Sequence, residues 1–118
     1  MQDKQYRNIL SELESSADID HSFIVSRDGL LIYPEKCSEF NPDAFAAMTA
    51  TLLAAAEAAM DELNGGVPIR VVVKANNFNI ITTGAGPRAI LAVITSSNDI
   101  DTVHEAMKKA AKEIDEIL

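Results

Sequence analysis

Apolar residues recur along this chain at two spacings, and the changes between them mark its elements. Tyr6, Ile9, Leu10 and Leu13 lie as on one face of a helix, which predicts a short amphipathic helix over residues 3–16. After "SSADID", the runs "HSFIVS" and "LLIYPE" are rich in β-formers. Asp28-Gly29 between them favours a hairpin, because both residues tolerate positive φ. Pro34 and Pro42 bracket a polar loop, and Asn41 or Asp43 can cap a long helix running from about Asp43 to Leu63. "NGG" at 64–66 stops that helix. Three further runs, "PIRVVVKA", "FNIITTG" and "RAILAVITS", read as strands, with turns at Asn76-Asn77 and "GAGP". A last helix starts near Asn98 or Asp99, with Ile100, Val103, Met107, Ala110, Ala111, Ile114, Ile117 and Leu118 along one stripe.

The order is α-β-β-α-β-β-β-α, with no internal repeat, low-complexity tract or linker. Short links make antiparallel neighbours. Several strands are apolar on both faces, so the sheet must be covered on both sides. The expected fold is α/β (α+β): a three-layer sandwich of a five-stranded antiparallel sheet, with the long helix on one face and the two terminal helices on the other. Residues 1–118 are expected to form a single domain.

The middle helix is unusual. Residues 45–60 read "FAAMTATLLAAAEAAM", with Glu57 the one charge. At 100° per residue, Phe45, Met48, Thr49, Leu52, Leu53, Ala56, Ala59, Met60 and Leu63 fall in one sector, expected to face the sheet. The opposite sector holds Ala46, Ala47, Ala50, Thr51, Ala54 and Ala58, and acquires Glu57, Asp61 and Glu62 only in the last turns. Ala46, Ala50, Ala54 and Ala58 would form a ridge of small side chains that another helix backbone can approach closely. Alanine is also the best helix former, and can sit exposed for that reason alone. The first and last helices, however, carry charge on their outer faces, and a small-residue face suits a two-fold interface in which a patch meets itself.

The strand "PIRVVVKA" follows the helical crossover and starts at Pro68, as an edge strand can. Arg70 and Lys74 could protect that edge alone. Alternatively, two copies pair antiparallel around Val72, with Arg70, Val71, Val72, Val73 and Lys74 at the interface. Glu57, Asp61 and Glu62, at a helix end whose dipole they oppose, would serve a basic partner or simply keep the end soluble.

Composition narrows the function classes. The 118 residues carry a net charge of −8, a poor match for nucleic acid or an anionic membrane surface and a better one for a basic protein surface. The single Cys37 permits no intrachain disulfide and suits a reducing cytoplasm. The N-terminus lacks the apolar core of a signal peptide, and no apolar run in the sequence approaches the ~20 residues of a membrane span. A cytoplasmic protein is the expectation.

Candidate chemistry is sparse. His21 and His104 sit in different elements without ligand-like spacing, and Cys37 has no activating His nearby. "GAGPR" lacks the Lys-[Ser/Thr] of a phosphate loop and precedes a strand. Asp18, Asp20 and Asp28 miss the calcium-loop pattern. No catalytic, cofactor-binding or metal-binding residue is assigned, and an enzyme is not expected.

The element order, "FIVSRDGLLI" (23–32), the Ala-rich middle helix and "AILAVITSS" (89–97) before an apolar-striped last helix together resemble the roadblock / dynein light chain family, over essentially the whole chain. The resemblance implies dimers made by pairing the middle helix and third strand, here 43–63 and 67–75, with their counterparts. It also implies a non-enzymatic homodimeric adaptor or regulator of a Ras-like small GTPase. Departures such as "DIDHS" and "SSNDID", where many relatives have Gly, mean that no GTPase-contact residue is carried over. The alternatives are a scaffold subunit of a signalling or motor complex without GTPase contact, and a profilin/longin-like or PAS-like ligand-sensing domain.

Overall fold

A computed structural model describes residues 2–35 and 39–118. The elements follow the expected order: α1 (Gln2–Ser16), β1 (His21–Ser26), β2 (Leu31–Tyr33), α2 (Pro42–Glu62), β3 (Val71–Lys74), β4 (Asn79–Gly84), β5 (Ala89–Thr95) and α3 (Ile100–Ile117). All pairings are antiparallel, and the sheet runs β2-β1-β5-β4-β3. The β1–β2 hairpin and the β3–β4–β5 meander are joined through β1 and β5, leaving β2 and β3 as the edges.

The two buried clusters show why strands β1 and β5 are apolar on both faces. On one face, Ile24, Ile81, Leu91 and Val93 pack against Tyr6, Leu10 and Leu13 of α1 and Val103, Met107 and Ile114 of α3. On the other, Phe23, Val25 and Ile90 pack under Ala46, Ala50 and Leu53 of α2. Alternation along each strand sends successive side chains to opposite layers.

Local chemistry sets the helix ends. Asn41 Oδ1 accepts from the amides of Asp43 and Ala44 and Pro42 occupies the first turn, so α2 begins with both a side-chain cap and a fixed φ. Asp99 caps α3 by accepting from the Thr102 amide at 3.2 Å. The third strand is shorter than the run 68–75. Pro68 cannot donate to a ladder, and regular pairing starts at Val71.

Candidate protein-interaction surface

The rotation of α2 about its own axis decides which face it presents, and two residues of the β1–β2 turn touch that helix at different points along its length. Gly29, at φ +90°, brings the turn so close that a Cβ there would lie 3.3 Å from Ala47 Cα and 3.7 Å from Ala50 Cβ. Arg27 donates from Nη1 to Glu57 Oε2 at 3.0 Å and from Nη2 to the Gly86 carbonyl at 2.9 Å. Its guanidinium passes over Gly84, where a Cβ would stand 2.7 Å from Nη2. The turn thus grips α2 at Ala47–Ala50 and again at Glu57, while Arg27 also fastens the β4–β5 turn.

This grip corrects the helical phase read from the sequence. Ala46 is 0% exposed and Ala50 6%, and both belong to the core under α2 with Thr49 and Leu53. They are small because the sheet and the Gly29 turn come close, and they are not part of an outer ridge. Met48, expected in the core, is 70% exposed, and Leu63 is exposed as well. Glu57, grouped with Asp61 and Glu62 as a partner-facing acid, is half-buried and paired with Arg27. Asp61 and Glu62 remain exposed.

The outer face of α2 is therefore built from Ala47, Met48, Thr51, Ala54, Ala55, Ala58 and Ala59, all exposed and none charged. Thr51 donates its hydroxyl to the Ala47 carbonyl at 2.9 Å, so that polar group is satisfied within the helix. Met48, Ala55 and Ala59 are additions that sequence spacing did not select. Of the expected helix positions, Ala47, Thr51, Ala54 and Ala58 share this face.

The strand β3 is an open edge of the sheet, and its Val71 packs under α2. Val71 and Val72 are half-buried, Val73 and Lys74 exposed, and Val67 and Ile69 in the approach to the strand are exposed apolar residues. Arg70 is held by α3: Nη1 contacts Asp101 Oδ1 at 2.8 Å and lies 3.4 Å from His104 Nδ1. His104, expected to be an ordinary polar residue, is buried. Its desolvation and the nearby Arg70 and Lys108 cations hold its pKa below the histidine value of 6.5, against the weaker pull of Glu105 and Asp101.

Two of the remaining candidates, His21 and Asp20, have structural partners. His21 packs edge-on to Phe40 and stacked on Phe23, with Nε2 2.8 Å from Glu39 Oε2. Asp20 accepts from the Ser96 amide at 2.7 Å, tying the entry of β1 to the end of β5. Cys37 lies outside the described residues. By length and composition α2 is apolar enough to cross a membrane. Both its ends lead into strands of one sheet, and its Leu53 face is packed on that sheet.

Comparison with known proteins agrees with this architecture. The family model described as Roadblock/LC7 domain matches residues 6–95. Among solved structures, MglB of Myxococcus xanthus superposes with a TM-score of 0.86 at 21% identity, over 96% of this chain and 94% of that one. A Roadblock/LC7 domain from Streptomyces avermitilis gives 0.83 at 21%, over 92% and 93%. The fold extends to profilin II of Acanthamoeba castellanii, at 0.60 and 18% identity, over 92% and 94%. A search of curated protein sequences returns no match.

Proposed function

Since the chain belongs to the Roadblock/LC7 family, we propose that it works as a non-enzymatic homodimer, built on α2 and β3, that regulates or scaffolds a Ras-like small GTPase. The observation that carries the dimer is the uncharged outer face of α2, a helix that packs over Val71 of β3, together with the unpaired edge of that strand. Charge is confined to the ends of that face, and a two-fold axis through it would set like surfaces together without burying an ion. The GTPase part rests on the family resemblance. Its electrostatic support is the acidic balance of the chain, which favours a partner with a basic surface.

The functional test uses purified Ras-like GTPases from the same genome, each loaded with GDP or a non-hydrolysable GTP analogue and titrated against this chain. The proposal expects at least one to bind with a clear preference for one nucleotide state and to change its rate of hydrolysis or nucleotide exchange. Absence of binding by all of them in both states contradicts it.

A further inference from the structure

The strand β1 is longer than its neighbour β2. It runs from His21 to Ser26 and pairs with β5 along that whole length. On its other side β2 has three residues and meets only Ile24 and Val25. Pro34, which has no amide to donate, follows the last of them. The stretch 21–23 of β1 therefore has a strand on one side only. Its register with β5 is unbroken, so alternation holds through β1, and the extra residue in the β1–β2 pairing is Ile32. The Arg27 amide donates to the Arg88 carbonyl, toward β5, and the Ser26 amide to the Leu30 carbonyl, toward β2. Ser22 is in phase with Ser26, so its amide and carbonyl point into the lane where β2 has ended.

A cavity of about 360 Å³ lies along that lane, lined by Ser22 and by Arg7 and Glu14 from one stripe of α1. Ser22 directs its hydroxyl toward α1 and donates it to the Glu14 carboxylate. Phe23 points the other way, into the cluster under α2. His21 stacks on Phe23 and holds Glu39 Oε2 at 2.8 Å from its Nε2. Glu14, Asp20 and Glu39 against Arg7 make the lining acidic.

We propose that this lane takes an extended segment of a partner protein, which pairs antiparallel with Ser22 and sets a Lys or Arg side chain against Glu14. The segment continues the line of β2. Its central residue exchanges two backbone hydrogen bonds with Ser22 and shares that residue's face of the sheet, so its side chain meets the α1 wall at Glu14. The Glu14 carboxylate has lone pairs beyond the one that Ser22 uses. An acidic central side chain would meet like charge in the same place. The residues on either side point toward Phe23 and His21, which suits uncharged β-formers. The lane lies near the β2 edge, and β3 forms the opposite edge, so the proposal stands apart from the homodimer and GTPase readings.

A randomised heptapeptide library, displayed on phage and selected on the immobilised full chain, tests it. Enriched sequences should carry a basic residue between uncharged β-formers. A synthetic peptide of that sequence should shift the Ser22 amide resonance. Norleucine in place of the basic residue, or Glu14→Gln in the chain, should weaken binding roughly tenfold. Gln keeps an acceptor for the Ser22 hydroxyl, and unchanged far-UV circular dichroism checks the fold. N-methylation of the basic residue's amide should abolish binding. No enrichment, enrichment without a basic residue, or resonance shifts that map to β3 overturn the proposal, as does equal affinity for the parent and Glu14→Gln chains.

Discussion

The Arg27 guanidinium holds the Glu57 carboxylate at 3.0 Å, joining the end of β1 to the second turn from the end of α2. Both side chains are about one-third exposed, so the pair contributes modestly to stability but fixes a direction. Arg27→Met should destabilise the fold by about 1 kcal/mol. A double-mutant cycle with Glu57→Gln in urea unfolding measures the coupling, and a coupling near zero would remove Arg27 as the residue that sets the rotation of α2.

The other half of the grip predicts a larger effect. Gly29→Ala places a side chain at φ +90° and within 3.3 Å of Ala47 Cα. It should cost about 2 kcal/mol, read as a lowered urea midpoint with unchanged slope. Gly66, also at positive φ, has open space around it, so Gly66→Ala carries the backbone strain alone and separates the two contributions.

Two positions from the row of alanines on α2 should now respond in opposite ways. Ala46→Leu overpacks the core and should cost about 1–3 kcal/mol of folding stability. Ala58→Leu, on the outer face, should leave the stability of a single copy nearly unchanged. Thermal unfolding of both at low concentration checks this, and equal effects would contradict the placement of α2.

Protonation of His104 gives a pH dependence of known sign. Its folded-state pKa lies below 6.5, so the unfolded chain binds the proton more readily. The contribution is complete above about pH 6.5 and is lost as pH falls through the lower folded-state pKa. Urea unfolding at several pH values between 7.5 and 5 should show declining stability, with a smaller decline in His104→Gln. An equal decline in the variant would assign it to other groups.

The sequence revealed the fold more fully than the surface, for identifiable reasons. In α3, charged residues separate the outer face from the stripe Val103, Met107 and Ile114, so its phase could be read directly, and those residues are buried. In α2, Ala occupies both faces and carries no directional signal. The phase is set by tertiary contacts at Gly29 and Arg27, which lie far away in sequence. Glu57 resembled a free acid because its partner is thirty residues distant. The "SRDGL" string was legible as a strand–turn–strand, but its grip on α2 was not. The open edge at β3 was legible, since Pro68 and the crossover before it both pointed there.

Sedimentation velocity of the wild-type chain beside Ala54→Arg and Ala58→Arg reads whether two copies meet through the outer face of α2 and the edge of β3. Ala50→Arg would not serve, because Ala50 lies in the core and its loss would disturb folding. The wild type should be a dimer at micromolar concentration, and both variants should be folded monomers. Variants that remain fully dimeric, or a wild-type chain that is monomeric throughout, would contradict it.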